Sequence, residues 1–195
     1  MIINPIKKGT ELNLKIDSLS YGGKGISRYD GIVIFTNNVL PGQTVKAKII
    51  KKKKSYLEAI PIELIEESPF KQKEKCNHFY DCGGCKTQDL DYKEQINQKE
   101  NQIIDALRHL AKINIEKIEP IIKSKLIYEY RNKMEFSFSN NRWLINDEKG
   151  LENEKPKDFA LGLHPPRRFD KVVDIDNCEI QTKLSNKILT TLKKL

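Results

Sequence analysis

Four cysteines constrain this chain more than any other feature, because their spacing predicts a single shared centre. Cys76, Cys82 and Cys85 lie in one short stretch, Cys-Asn-His-Phe-Tyr-Asp-Cys-Gly-Gly-Cys, and Cys178 follows much later. Three close thiols and one distant thiol can give four thiolates to one soft metal or cluster. The fold must then return residue 178 to the cysteine loop, and the glycine pair allows that loop to turn tightly.

The spacing leaves more than one occupant open. Zinc sites also use four cysteines, but usually as two close pairs, whereas Cys178 has no close partner. This asymmetry favours an iron–sulfur cluster over zinc. Buried free thiols without a metal are the third alternative.

Composition indicates an anionic partner and a reducing compartment. The 195 residues suffice for one or two domains, and the net charge of +8 favours nucleic acid. No apolar run approaches the length that crosses a membrane, so we expect a cytoplasmic protein without a membrane partner. Thiols stay reduced in that compartment, where four cysteines bind metal or carry out redox chemistry more often than they form disulfides.

The first third of the chain has the pattern of short strands. Apolar and polar residues alternate over residues 11–16, Asp30-Gly31 is a strong hairpin signal, and Pro41-Gly42 marks another turn. These signals predict five short strands in a small closed barrel over residues 6–65.

The rest of the chain, residues 66–195, is expected to form a second domain. Asp89 or Asp91 is a candidate cap for a helix that runs to about residue 112. Its predicted apolar face consists of Ile96, Ile103, Leu107 and Leu110. Residues 130–138 alternate as a strand, Asn140-Asn141 would turn it back into residues 143–145, and residues 147–158 are expected to be an exposed loop. A strand at 159–163 and a helix after Cys178 complete an α+β chain.

Two groups of cations are candidates for RNA contact. One is a run of lysines on the late barrel strands, comprising Lys46, Lys48, Lys51, Lys52, Lys53 and Lys54. The other is Arg131 and Lys133 on the polar side of the predicted strand, with the basic turn 164–168 as a further phosphate contact. Each is equally consistent with a surface that only faces water. No histidine has a convincing acid–base partner.

With these residues in view, the chain resembles the amino-terminal part of the RNA uridine-5-methyltransferases of the 23S rRNA (uracil-5-) type. Three segments carry the resemblance, and they span nearly the whole chain in the family's order. They are Gly22-Gly-Lys-Gly25 through Pro41-Gly42, Cys76-x₅-Cys-Gly-Gly-Cys85, and Tyr130-Arg-Asn-Lys-Met-Glu-Phe-Ser-Phe138 continued to Asp174-Ile-Asp-Asn-Cys178. The resemblance implies a TRAM domain, which is an RNA-binding barrel of the OB type, and a 4Fe-4S cluster held by Cys76, Cys82, Cys85 and Cys178.

The resemblance also implies S-adenosylmethionine as methyl donor, but it stops before the doubly wound catalytic domain of that family. Methylation at C5 of uracil needs a nucleophile, and all four thiols are assigned to the cluster. We therefore expect this chain to be inactive alone and to recognise RNA (ribosomal or transfer RNA). It would be a fragment, one half of a split enzyme with a separate catalytic half, or a truncated relative. The alternative is a stand-alone RNA-binding iron–sulfur or zinc protein that responds to oxidants or iron.

Overall fold

The computed structural model describes residues 6–115, 117–145 and 156–195, and it shows an α+β chain made mostly of β-sheet with two α-helices. The chain divides into two compact units. The first consists of Met1–Gln72 and Asp89–Lys123, and the second of Lys73–Gln88 and Ser124–Leu195. The predicted long helix therefore lies in the same unit as the barrel. Most of the predicted loop 147–158 lies outside the described residues.

The first unit is built on a six-stranded, barrel-like sheet with the order β1-β5-β6-β4-β3-β2. Neighbouring strands are antiparallel except for β4 and β6, which are parallel. Six strands occur instead of the predicted five, because a two-residue strand lies between the first and second expected ones. The strands are β1 Glu11–Lys15, β2 Ser18–Leu19, β3 Gly25–Tyr29, β4 Ile32–Thr36, β5 Thr44–Lys52 and β6 Tyr56–Glu66.

Local sequence signals account for the turns and the core of this sheet. Asp30 and Gly31 have positive φ values of 48° and 78°, as a tight hairpin between β3 and β4 requires, so the predicted hairpin is confirmed. Alternate residues of the strands point inward and form one apolar core. Its fully buried members include Leu14, Ile16, Ile34, Val45, Ala47, Ile49, Leu57 and Ala59.

Helix α1, Tyr92–Asp105, begins as predicted and continues into the π-helical turn Ala106–Leu110. The Asp91 side chain accepts from the Glu94 N–H at 3.3 Å and caps the helix. The predicted apolar face is wrong beyond Ile96, since Ile103 and Leu110 are exposed. The buried positions are instead Glu94, Ile96 and Gln98, because the helix meets backbone N–H and C=O groups at β2 that need polar partners.

The second unit contains a three-stranded antiparallel sheet and helix α2. Its elements are β7 Ser137–Ser139, β8 Ala160–Leu163, β9 Val173–Asp174 and α2 Lys183–Leu192. The strands near residue 160 and the last helix are confirmed. No helix in the described ranges combines the length and apolarity needed to cross a membrane.

The predicted strand at 130–138 is wrong for most of its length. Only residues 137–139 pair with β8, while the Arg131 N–H donates to the carbonyl of Ile180 at 2.9 Å. The two ends of the segment thus have different partners, which prevents one continuous strand. The predicted return strand over residues 143–145, which the structure describes, is also absent. The backbone N–H of Trp143 donates instead to the Val172 carbonyl.

Candidate functional site

The second unit brings all four cysteines around one small cavity. Cys76, Cys82 and Cys85 are half-buried, Cys178 is buried, and none forms a disulfide. Apolar side chains from several elements close the rest of the cavity, namely Phe79, Leu163, Ile175 and Ile180. The fold therefore returns residue 178 to the cysteine loop, as the spacing requires.

N–H groups surround the sulfur atoms. The Gly84 N–H donates to Cys82 Sγ at 3.3 Å, and Gln88 Nε2 donates to Cys85 Sγ at 3.4 Å. Backbone N–H groups also bond to the other two thiols, from His78 to Cys76 and from both Ile180 and Gln181 to Cys178. Such donors stabilise thiolates and their metal complexes, so the cavity suits bound anionic sulfur.

Burial favours the protonated form of three of the thiols, those of Cys76, Cys82 and Cys178. Desolvation raises the pKa of Cys82 to about 11 and raises the pKa of Cys76 and Cys178 in the same direction. Their neighbouring cysteines add to the effect, since each thiolate disfavours the next. A positively charged centre would reverse this balance, because metal binding takes up thiolates and releases their protons.

Two glycines allow the cysteine loop to approach the strand end. The Gly83 N–H donates to the His164 carbonyl at 3.0 Å, and a Cβ at Gly83 would lie only 2.7 Å from that oxygen. A Cβ at Gly84 would lie 2.9 Å from Leu163 Cδ1. The glycine pair is thus required by close packing rather than by a positive φ.

Contacts between side chains also hold the cysteine loop against the segment around Cys178. Lys75 Nζ lies 2.7 Å from the Glu179 carboxylate, and His78 Nε2 lies 3.4 Å from the backbone nitrogen of Asp176. However, across residues 6–115, 117–145 and 156–195, no three Cys, His, Asp or Glu side chains form a group that could hold a metal ion as they stand.

A groove of ≈ 890 Å³ lies beside the cysteine loop, and Gly83 and Gly84 form part of its wall. Both predicted cations of this region, Arg131 and Lys133, line it. Lys133 also pairs with Glu135 at 2.9 Å, in a contact that is largely exposed to water. The remaining lining includes Tyr130, Met134, His164, Arg167 and Phe169.

Phe169 is the groove residue that sequence reasoning missed. Its ring is 83% exposed, and it lies 6.1 Å from the His164 ring. An exposed aromatic ring beside cations is the usual arrangement for stacking an unpaired base. The signal in the sequence was an aromatic residue directly after the basic turn 164–168.

The lysine run on the barrel does not form one uniform cationic surface. Lys46 lies 3.0 Å from the Glu11 carboxylate, and this hydrogen bond raises the Lys46 pKa. Lys51 lies 3.6 Å from Glu58, and Lys52 donates to the Ile6 carbonyl at 3.1 Å. Lys48 is exposed on β5, and Lys53 and Lys54 lie just beyond its end. Lys46, Lys51 and Lys52, which were predicted to contact RNA, therefore already have partners within the barrel.

Comparisons with known proteins identify the barrel and the relatives of the chain. Residues 5–62 match the model of the TRAM domain. A protein of Bacteroides thetaiotaomicron named as an uncharacterized RNA methyltransferase is 42% identical over 88% of this chain. One of the same name from Porphyromonas gingivalis is 37% identical over 90% of it. The chain spans only 38% of the length of each of these two relatives.

A solved structure shares the fold. The crystal structure of the Pyrococcus abyssi tRNA (uracil-54, C5)-methyltransferase, in complex with S-adenosyl-L-homocysteine, matches with a TM-score of 0.56 and 22% identity. The match covers 93% of this chain and 36% of that one. The structural match concerns the fold. The sequence matches show that the chain contains a TRAM domain and is a partial-length homologue of proteins named as RNA methyltransferases.

Proposed function

We propose that this chain is the RNA-recognition and 4Fe-4S-binding portion of an S-adenosylmethionine-dependent RNA uridine-5-methyltransferase. One observation carries the proposal: four cysteines from two distant segments line one cavity, and a groove with cations and exposed aromatic rings adjoins it. In this proposal residues 6–65 bind RNA as a barrel, and the second unit, Lys73–Gln88 with Ser124–Leu195, forms the cluster-binding domain. The target is ribosomal RNA, with transfer RNA as the other candidate.

The spacing of the four cysteines supports a cluster over a single zinc ion, because Cys178 has no close partner with which to form the second of two pairs. A zinc ion needs four thiolates all about 2.3 Å from one point. A 4Fe-4S cluster takes one thiolate on each iron and would tie Cys76, Cys82 and Cys85 to Cys178. The cavity is ≈ 20 Å³, about the space of one water, so the half-buried cysteine loop must open outward to admit eight inorganic atoms. The N–H groups around the sulfurs would then stabilise the bound thiolates.

The groove supplies the chemistry for holding a single-stranded RNA. Arg131, Lys133 and Arg167 can contact phosphates, while Tyr130 and Phe169 can stack bases. Because Gly84 lines both the groove and the cysteine cavity, and Gly83 beside it lines the groove, the position of the cysteine loop sets one wall of the groove. We therefore assign the cluster a structural role in shaping the RNA site.

Methyl transfer itself is assigned to residues outside this chain. Methylation at C5 of a uridine needs a nucleophile that adds at C6. All four cysteines of the chain line the cavity, so no cysteine remains for that role. The chain matches only 38% of the length of its relatives, which leaves room for a catalytic part and its S-adenosylmethionine site.

The decisive measurement is the iron, sulfide and zinc content of anaerobically purified protein, together with its visible spectrum. We expect about four irons and four sulfides per chain, since each of four thiolates binds one iron of a 4Fe-4S cluster. Cys178→Ser should lower the iron content, and Ser139→Ala, in the same unit but away from the cysteines, should not. One zinc without sulfide, or undiminished iron in Cys178→Ser, would contradict the proposed ligand set.

A further inference from the structure

Asn186 holds the backbone of Cys178 on both sides. Its Oδ1 accepts the Cys178 N–H at 2.9 Å, and its Nδ2 donates to the Cys178 carbonyl at 3.1 Å. A side-chain amide can make both of these hydrogen bonds, which together we call the Asn186 bracket, because it carries one donor and one acceptor group. Asn186 lies in α2, eight positions after the cysteine, so the contact requires α2 to fold back over the Cys178 segment.

Further contacts fix this bracket in place. Gln181, which is 1% exposed, donates through Nε2 to Asn186 Oδ1 at 2.6 Å, and its backbone N–H donates to the Cys178 carbonyl at 3.3 Å. At the other end of α2, Lys193 lies 2.7 Å from Asp174 and 3.2 Å from Asp176. The Lys193 and Asp174 side chains are each 13% exposed, so this pair is well shielded from solvent. Helix α2 is thus fastened to the segment before Cys178 as well as to the cysteine itself.

Cys178 has the greatest need for such support among the four cysteines. Cys76, Cys82 and Cys85 share one loop, so each restricts the position of the other two. Cys178 comes from a distant segment and must be placed by its own surroundings. Residues that orient a metal ligand without touching the metal typically change metal affinity about 10- to 100-fold when they are mutated.

We propose that Asn186 is a positioning residue for the iron–sulfur centre, holding Cys178 so that its thiol faces the cavity and the N–H groups of Ile180 and Gln181. This inference rests on the proposed function, because it requires the cluster. Because Asn186 lies in α2, the packing of α2 against the Cys178 segment determines whether the fourth thiolate can bind the cluster. Two of the first three cysteines are held by a different side chain, since Gln88 Oε1 accepts the Cys76 N–H at 3.2 Å and its Nε2 donates to Cys85 Sγ at 3.4 Å. Helix α2 therefore acts on the last ligand.

The test compares Asn186→Ala with Thr182→Ala in anaerobically purified protein. Thr182 caps the same helix by accepting the Ser185 N–H at 3.2 Å, and its loss weakens α2 without removing a contact to Cys178. For Asn186→Ala we expect iron release to a chelator to be about tenfold faster than in the wild type. We also expect a lower reduction potential, because a displaced Cys178 loses N–H bonds to its sulfur. Thr182→Ala should keep the wild-type potential.

The outcomes distinguish a failure of this inference from a failure of the proposed function. An iron-loaded Asn186→Ala variant with wild-type release and potential would overturn the role of Asn186 and leave the cluster intact. Equal effects in Thr182→Ala would show that only the stability of α2 matters. A wild-type chain without iron and sulfide would overturn the proposed function first. If Asn186→Ala does not fold, Asn186→Asp keeps the acceptor and loses the donor, and the same comparison applies.

Discussion

At the scale of single residues, the cysteine loop depends on a close backbone contact at Gly83 that leaves no space for a side chain. A Cβ at Gly83 would lie 2.7 Å from the His164 carbonyl oxygen, whereas at Gly84 the nearest atom belongs to the movable Leu163 side chain. We expect Gly83→Ala to lower the free energy of unfolding of the second unit by about 1–3 kcal/mol, and Gly84→Ala to lower it less. Urea unfolding followed by fluorescence measures this, since Trp143 is the single tryptophan and lies in that unit. Equal losses in the two variants would contradict the expected difference between backbone and side-chain crowding.

At the scale of elements, α1 is attached to the barrel sheet by buried amides rather than by an apolar face. Gln98 is 6% exposed, and its Oε1 accepts the Leu19 N–H at 2.7 Å while its Nε2 donates to Glu94 at 2.6 Å. Gln98→Met should cost about 1–3 kcal/mol of unfolding free energy, because two buried polar groups lose their partner. Hydrogen exchange at the Leu19 amide measures the local loss. The exposed neighbour Lys99 provides the control, since Lys99→Ala should change stability by less than about 0.5 kcal/mol. Unchanged protection of Leu19 in Gln98→Met would show that α1 is held by other contacts.

At the scale of the whole molecule, the net charge of +8 predicts RNA binding that weakens as salt rises. For single-stranded RNA, each lost phosphate contact should reduce the logarithmic salt slope by about 0.7. The double variant Arg131→Ala, Lys133→Ala tests the groove, and replacement of Lys51 to Lys54 by Ala tests the barrel. We expect replacement of Lys51 to Lys54 by Ala to reduce the salt slope by less than the loss of four phosphate contacts would, because Lys51 and Lys52 already have partners within the barrel. Fluorescence anisotropy over a series of salt concentrations measures both slopes. An unchanged slope would remove the corresponding cations from the RNA interface.

Features governed by neighbouring residues were predictable. Turn residues with positive φ, such as Asp30 and Gly31, and the helix cap Asp91 act over a few positions, so their signals are visible in the chain. The segment 130–138 was predicted wrongly because its alternating pattern does not reveal that its two ends pair with different partners. The exposure of Ile103 was missed for the same reason, since the partner of α1 is polar backbone from a distant strand.

The candidate site shows the same division. Cysteine spacing alone predicts that Cys178 must return to the loop of Cys76, because thiolates that bind one centre have to meet. The groove that joins Arg131 to Phe169 and the bracket of Asn186 around Cys178 became visible only in three dimensions. Those residues come together through strand pairing and the seating of α2, and both depend on packing between distant segments. Residue types and spacing therefore specified the chemistry of this protein, while long-range packing specified which groups surround it.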